Sequence, residues 1–150
     1  MINFKGKKIL ITGATGGIGN ALVKKFLSLE GTVLATGTNT EKLDALKKEF
    51  PNINVLKFDI SQHSKIEEFI ENVSSQLVGL DIFVNNAGIT MDNLSLRMKD
   101  EEWNKVIDIN LSSTFYLCKH AIKKMLKNKY GRIVNITSIV GHTGNLGQAN

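Results

Sequence analysis

The chain has 150 residues, of which 42% are hydrophobic and 22% are charged, and its formal net charge is +5 at pH 7. That length suits one domain with a sizeable core, and no apolar run approaches the roughly 20 residues that a membrane-spanning helix needs. One cysteine, Cys118, excludes an internal disulfide framework and favours a reducing compartment. These properties predict a cytoplasmic protein with no membrane partner.

Strands and helices are predicted to alternate along the chain. Strands are indicated by short runs of branched apolar residues, and helices by apolar residues that recur every three or four positions. Thr40 is the predicted N-cap of the second helix. In chain order the predicted elements are a strand at 7–12, a helix at 17–30, a strand at 32–37, a helix at 41–50, a strand at 53–59, a helix at 64–77, a strand at 80–86, a helix at 99–128 and a strand at 132–138.

This alternation predicts an α/β fold. Right-handed crossovers between parallel strands place helices on both faces of a doubly wound, Rossmann-like sheet. Five strands and about four helices are expected within the chain. Ligands of such sheets bind outside the carboxyl ends of the strands, so these ends are where functional residues are expected.

The longest predicted helix carries a broad apolar stripe. An apolar stripe on a surface helix normally faces the core. Cys118 and Trp103 are therefore expected to be packing residues. The stripe consists of Trp103, Val106, Ile107, Leu111, Phe115, Cys118 and Ile122.

A glycine-rich turn, TGATGGIG at residues 12–19, follows the first strand. Gly13, Gly17 and Gly19 permit a tight turn and a close approach of the backbone to a ligand. The helix that follows presents free N–H groups to an anion such as a pyrophosphate. The pattern favours a dinucleotide site, and the alternative is a glycine-rich turn with no ligand.

The end of the second strand bears on which dinucleotide binds. An acidic residue there would accept a hydrogen bond from the adenosine 2′-hydroxyl group and select NAD. Gly37 and Thr38 occupy this place instead, so the 2′-phosphate of NADP meets no carboxylate. Residues 14–17 offer no arginine or lysine to pair with that phosphate. The sequence favours NADP(H).

Polar residues follow the other strands as well. Asp59 could accept a hydrogen bond from an adenine amino group while Ile60 packs on the base, although Asp59 could equally cap the next turn. The segment NNAG at residues 85–88 combines two amides with two small residues, which permits close backbone approach to a ligand. Ser138 follows the fifth strand and precedes a glycine-rich loop.

In this order, TGATGGIG, NNAG, Asn110 in the long helix and NITS at residues 135–138 resemble the short-chain dehydrogenase/reductase family. The resemblance covers essentially the whole chain. The segments ITMDNLSLRMKDEEWNKVIDINLSSTF and GHTGNLGQAN are most similar to bacterial members that reduce 3-oxoacyl groups carried on acyl carrier protein.

The resemblance implies a role for each motif. Ser138 would hydrogen-bond the substrate carbonyl, the main chain of Asn110 would hold a water molecule in a proton relay, and Gln148 would face the substrate. The implied cofactor contacts are Gly13, Ala14, Thr15, Gly16, Gly17, Ile18, Gly19, Thr38, Asp59, Ile60, Asn86, Ala87 and Gly88.

The implied reaction is NADPH-dependent reduction of 3-oxoacyl to 3-hydroxyacyl groups on acyl carrier protein in fatty acid biosynthesis, by a homotetramer. In this family a tyrosine donates the proton, and a lysine four residues later lowers its pKa. Tyr116 and Tyr130 have no lysine at that spacing. Residues 1–150 are therefore expected to form the incomplete N-terminal part of an NADP-binding domain that ends just before this pair. Two alternatives stay open: a nucleotide-binding fragment without turnover, and a reductase of a different ketone.

Basic residues gather at the end of the long helix: Lys123, Lys127, Lys129 and Arg132. They form either a solvated surface or a docking site for the acidic carrier protein. Tyr130 is the one aromatic residue among them, and no nucleic-acid-binding motif is present, so a nucleic-acid partner is not expected. The three histidines lack the spacing of metal ligands, and no metal site is predicted.

Overall fold

The computed structural model describes residues 2–150 and contains a parallel sheet flanked by helices. Its strands are β1 (Lys8–Ile11), β2 (Thr32–Gly37), β3 (Asn54–Lys57), β4 (Ile82–Asn85) and β5 (Arg132–Asn135). Its α-helices are α1 (Gly17–Ser28), α2 (Thr40–Glu49), α3 (Ile66–Leu77), α4 (Asp100–Ile107), α5 (Ser113–Lys127) and α6 (Val140–Thr143). A 3-10 turn (His63–Lys65) precedes α3, and a π turn (Asp108–Ser112) joins α4 to α5.

The strand order is β3-β2-β1-β4-β5, and every neighbouring pair is parallel. This arrangement confirms the predicted doubly wound α/β fold. The carboxyl ends of all five strands therefore lie along one edge of the sheet. The order reverses between β1 and β4, and a crevice at such a reversal is where these sheets bind ligands.

The sheet is covered on both faces because its central strands are apolar at successive positions. Leu10 and Phe83 pack on the face covered by α3 and α5, whereas Ile9 and Ile11 pack on the face covered by α1 and α2. All four side chains are fully buried. Burying each one stabilises the fold by roughly 1.5–3 kcal/mol.

Boundaries differ in detail from the prediction. Four of the strands are shorter than predicted, because the polar residues at their ends leave the sheet and form the loops at its carboxyl edge. The prediction that Thr40 caps the second helix was wrong. Asn39 is the N-cap, its Oδ1 accepts from the Lys42 N–H at 2.9 Å, and Thr40 is the first residue of α2. The short helix α6, in the loop after Ser138, was not predicted.

The long helical stretch was predicted correctly in extent, but the prediction of its buried side was wrong. Leu111 and Phe115 are 63% and 62% exposed, and Trp103 is also exposed. Cys118 is half-buried against the core. Leu111 and Phe115 fall between the buried positions, which recur at intervals of seven and four residues. The residues of this stretch that are buried are Val106, Ser113, Leu117, Ala121 and Met125.

Within residues 2–150, no helix is long and apolar enough to cross a membrane. The same residues include no group of three or more histidine, cysteine or acidic side chains placed to hold a metal ion.

Candidate active site

The glycine-rich turn is tied to the end of β4 by one buried hydroxyl group. Thr12 Oγ1 accepts from the backbone N–H groups of Asn86 at 3.0 Å and Ala87 at 3.1 Å. The Asn86 side chain returns two hydrogen bonds, from Nδ2 to the carbonyl oxygens of Thr12 at 3.0 Å and Gly13 at 3.1 Å. Two motifs that are more than 70 residues apart in sequence are thereby fixed side by side.

Glycine is required at two positions of this turn. Gly13 has a φ of +61°, and a Cβ atom there would lie 2.8 Å from Ala87 Cα. A Cβ atom on Gly19 would overlap the carbonyl group of Gly13. The backbone of the turn therefore packs directly against the NNAG segment and against the start of α1.

The start of α1 is suited to an anion. Gly16 is its N-cap and provides no side-chain hydrogen bond, and the first helical bond runs from Asn20 N–H to the Gly16 carbonyl. The N–H groups of the first turn, at Gly17, Ile18 and Gly19, have no partner within the helix. Ile18 is 61% exposed there. Free N–H groups and the helix dipole favour an anion here, such as a phosphate or pyrophosphate.

A cavity of about 270 Å³ lies between the glycine-rich turn and the ends of β2, β3 and β4. Two features of its lining bear on what it could hold. The hydroxyl group of Thr36 is buried without a hydrogen-bond partner in residues 2–150, and a Cβ atom on Gly37 would approach Thr15 Oγ1 to 3.1 Å. The cavity is lined by Thr12, Gly13, Thr15, Thr36, Gly37, Thr38, Phe58, Asp59, Ile60, Ala87, Gly88, Ile89 and Ile109.

Most of the predicted cofactor residues line this cavity or the helix start beside it. Asn86 and Ala14 are the exceptions. The side chain of Asn86 bonds to the backbone of the glycine-rich turn, whereas that of Ala14 is fully buried in the core and its N–H donates to the Thr36 carbonyl at 3.0 Å. Only the backbone of Ala14 could approach a ligand.

The position of Asp59 permits both interactions considered for it, the cap of the next turn and a hydrogen bond to a base. Its Oδ1 accepts from the Ser61 N–H at 3.0 Å and from Ser61 Oγ at 2.8 Å, which is the predicted turn cap. Oδ2 makes no hydrogen bond within residues 2–150, and Asp59 lines the cavity. One oxygen therefore builds the loop while the other can accept from a base.

A second cavity, of about 660 Å³, brings together Asn110, Ser138 and Gln148. These are the three residues for which the resemblance implies a place near the substrate. Ile89 lines both cavities, so the two spaces lie next to one another at the end of the NNAG segment. A ligand that filled both would run from the glycine-rich turn toward Ser138.

Both polar atoms of the Asn110 side chain are hydrogen-bonded to Ile89. Its Oδ1 accepts from the Ile89 N–H at 2.9 Å, and its Nδ2 donates to the Ile89 carbonyl at 2.8 Å. A Cβ atom on Gly88 would lie 3.2 Å from Asn110 Oδ1. The residue sits inside the π turn, a distortion that is frequent at functional sites.

Ser138 and Gln148 differ in how free their polar groups are. Ser138 Oγ accepts from the Val140 N–H at 3.4 Å, so its own proton can be donated toward the cavity. Gln148 is engaged by the surrounding loops: its Nε2 donates to Asp92 Oδ1 at 3.0 Å and its Oε1 accepts from Asn145 at 3.0 Å. Gln148 lines the cavity, but it also holds the loop that closes it.

The charged groups near the two cavities are acidic. Asp59 and Asp92 are the only charged side chains that line either cavity within residues 2–150. Next to them, hydrogen bonds from the Lys99 N–H and from Asn93 lower the pKa of the Glu102 carboxyl group. Glu102 therefore stays ionised and fixes the loop that carries Asp92.

The predicted docking residues lie at the other edge of the sheet. Arg132 begins β5 and Ser138 follows its end, and Lys127 ends α5 on the side of Arg132. Lys123 is paired with Glu67, with 2.8 Å between Nζ and Oε1. Within one chain this basic group does not border the cavity that contains Ser138.

Sequence reasoning missed several residues that build the site. Thr12 and Asn85 are buried polar residues at the ends of apolar strands, and Thr114 hydrogen-bonds to Asn85 and Asn110. A polar residue directly after a fully apolar strand was a usable signal for the first two. Thr114 gave no such signal, since a threonine in an amphipathic helix is unremarkable.

Comparison with known proteins agrees with this arrangement. Residues 7–150 match the family described as short chain dehydrogenase. The chain is 49% identical over 150 residues to the 3-oxoacyl-(acyl-carrier-protein) reductase FabG of Rickettsia bellii, covering 100% of this chain and 61% of the relative. It is 43% identical over 150 residues to the reductase of the same name from Escherichia coli strain K12, covering 99% and 62%. For that of Aquifex aeolicus the identity is 41% over 154 residues, covering 99% and 62%.

The chain thus spans about 61% of the length of the first of these relatives. The family match covers nearly all of the chain, and the glycine-rich turn, the NNAG segment, Asn110 and Ser138 meet at the carboxyl edge of a doubly wound sheet. The chain belongs to the short chain dehydrogenase family.

Proposed function

We propose that the protein to which these residues belong reduces the ketone of 3-oxoacyl groups on acyl carrier protein to a hydroxyl group, with NADPH as reductant. The observation that carries the proposal is the convergence of Asn110 and Ser138 on one cavity, which shares Ile89 with the cavity beside the glycine-rich turn. The names of the relatives supply the substrate class.

NADPH, when bound, supplies a hydride to the carbonyl carbon. The residues of this chain hold and orient the reactants. The start of α1 binds the pyrophosphate, Ser138 donates a hydrogen bond to the carbonyl oxygen as negative charge develops there, and the Asn110 carbonyl holds a water molecule on the path of the proton. The proton itself comes from the tyrosine of the family's tyrosine–lysine pair, which has no counterpart in residues 1–150.

The preference for NADPH rests on the end of β2. Gly37 and Thr38 line the cavity and bring no carboxylate toward a 2′-phosphate. We expect Thr38→Asp to weaken NADPH binding at least tenfold more than NADH binding, because like charges repel at this site. Asn52→Asp adds the same charge at the opposite edge of the sheet and serves as the control. Dissociation constants of both nucleotides, measured by fluorescence titration, decide the point, and equal effects on both nucleotides would contradict it.

The proposed reaction is tested on the full-length protein by following NADPH consumption with an acetoacetyl thioester and with free ketones. Turnover of the thioester with little turnover of the free ketones supports the proposal. The reverse preference would favour a reductase of a different ketone, and nucleotide binding without any turnover would favour a binding module. Ser138→Ala should lower kcat by about 10²–10³-fold, whereas Thr143→Ala, in α6, should not.

Partners follow from the same proposal. The basic group of Lys127, Lys129 and Arg132 suits an acidic carrier protein, but it lies at the edge of the sheet opposite Ser138 of the same chain. A carrier bound there would therefore serve the site of a second copy, which agrees with the expected homo-oligomer. Lys129→Glu should raise KM for carrier-bound substrate and leave KM for a small thioester unchanged, with Lys24→Glu on α1 as control.

A further inference from the structure

The hydroxyl group of Thr114 lies between the cofactor side and the substrate side of the site. It accepts from Asn85 Nδ2 at 2.8 Å and donates to the Asn110 carbonyl at 2.7 Å. Thr114 is the second residue of α5, four positions after Asn110, and none of the roles implied by the resemblance falls on it. What it does for Asn110 rests on the proposed function.

The direction of every hydrogen bond leading to Thr114 is fixed. Thr12 Oγ1 accepts from two backbone N–H groups, those of Asn86 and Ala87, so both of its lone pairs are used. Its proton must then go to Asn85 Oδ1, which lies 3.2 Å away. That sets the orientation of the Asn85 amide and turns its Nδ2 toward Thr114.

Thr114 in turn has one proton to give. Since its Oγ1 already accepts from Asn85, that proton goes to the Asn110 carbonyl. A directed chain of hydrogen bonds thus runs from the backbone of the NNAG segment to the π turn. Thr12 and Asn85 are 0% and 4% exposed, so water has little access to the middle of this chain.

We propose that Thr114 is a positioning residue that orients the Asn110 carbonyl for proton transfer. A carbonyl oxygen has two lone pairs. The Thr114 hydroxyl group donates to one of them, and a water molecule at this carbonyl would use the other. The two bonds to Ile89 hold the side chain of the same residue. Asn110 is thereby fixed at its side chain and at its carbonyl group.

Two substitutions in the full-length protein separate the hydroxyl group from its surroundings. Thr114→Val keeps the branched shape and removes the hydroxyl group, and Thr114→Ser keeps the hydroxyl group. Thr114→Val should lower kcat about tenfold, as expected for one lost orienting hydrogen bond, with KM and the dissociation constant of NADPH changed less than twofold. Thr114→Ser should restore kcat to within about twofold of the unsubstituted protein.

Hydrogen exchange provides a readout that does not depend on turnover. The Ile89 N–H donates to Asn110 Oδ1, so loosening Asn110 should speed exchange of that amide. We expect faster exchange in Thr114→Val and unchanged exchange in Thr114→Ser.

The outcomes separate this proposal from the proposed function. If the unsubstituted protein reduces the thioester, a kcat of Thr114→Val within twofold of normal overturns the role of Thr114, whatever the exchange data show. If the unsubstituted protein has no turnover, the proposed function fails, and exchange alone decides whether Thr114 holds Asn110. Equal exchange in both variants would then overturn the positioning role as well.

Discussion

Asn110 and Ile89 are joined by two hydrogen bonds across 21 residues of sequence, at 2.9 Å and 2.8 Å. The π turn of the long helix is thereby attached to the loop that leaves β4. Because Ile89 also lines both cavities, this pair borders both the cavity beside the glycine-rich turn and the cavity that contains Ser138.

One bond of the pair can be removed by exchanging a single heavy atom. Asn110→Asp replaces the donating amide with a carboxylate, which would face the Ile89 carbonyl without a proton to share. Since the pair is exposed to solvent, we expect the free energy of unfolding to fall by about 0.5–1.5 kcal/mol, with loss of turnover in the full-length protein. Urea denaturation measures the first effect. Asn104→Asp, an exposed position on α4, is the control, and an equal loss in both variants would contradict the importance of the pair.

Gly13 tests how tightly the glycine-rich turn packs against the NNAG segment. Gly13→Ala would place a methyl group 2.8 Å from Ala87 Cα, at a φ of +61° that favours glycine. Overpacking and the unfavourable backbone conformation together should destabilise the protein by about 2–4 kcal/mol. Gly141→Ala is the matched control, since its Cβ atom meets nothing within 4 Å. Thermal unfolding curves that coincide for the two variants would count against this packing.

Replacing Val78 with glycine should stabilise the protein. It follows α3 in the left-handed conformation, with a φ of +56°, and its side chain is 81% exposed. A β-branched residue is strained there and contributes little packing. Val78→Gly should therefore raise the free energy of unfolding by about 1 kcal/mol, measured from the urea midpoint at an unchanged slope. Val78→Ala keeps the Cβ atom and should gain clearly less; an equal gain would show that backbone strain is not the cause.

The fold followed from the sequence because its signals are local. Runs such as the one that forms β1 can be buried on two faces only in a sheet with helices on both sides. Family resemblance then placed Ser138, Asn110 and the glycine-rich turn near one another, and the cavities agree with that placement.

The errors arose where tertiary contacts choose between local alternatives. Asn39 and Thr40 can both cap a helix, and only the backbone conformation of the loop selects Asn39. On the long helix, apolar residues cover two sides. The sequence could not show which side faces the sheet, because Leu117 and Phe115 are both apolar and only packing in the folded protein buries the first and exposes the second.

The thiol group of Cys118 should react slowly with alkylating reagents in the folded protein. Burial raises its pKa, and its Sγ lies 3.7 Å from Asn135 Oδ1. Since the thiolate is the reactive form, the folded protein should have less of it at pH 8 than an unfolded chain has. The pH midpoint of the iodoacetamide reaction rate should lie higher for the folded protein than for the same protein in guanidinium chloride. A lower midpoint in the folded protein would contradict the effect of burial.

The pKa of Glu67, on the surface between α3 and α5, is shifted in the opposite direction, below its ordinary value. Lys123 Nζ donates to its Oε1 at 2.8 Å, and this hydrogen bond is the main reason that the pKa of Glu67 lies below its ordinary value. A depressed pKa in the folded state means that the ionised carboxylate stabilises the fold above the unfolded pKa, and that this contribution is lost as the pH falls through the folded pKa. Lys123→Met should raise the pKa of Glu67 toward its ordinary value. The free energy of unfolding should then depend less on pH in that acidic range.

Lys127→Met is the control, because it removes the same charge one turn further along the helix without removing a hydrogen bond to Glu67. A carboxyl-carbon NMR titration that moves equally in both variants would assign the shift to general charge, and one that moves only in Lys123→Met would assign it to this hydrogen bond.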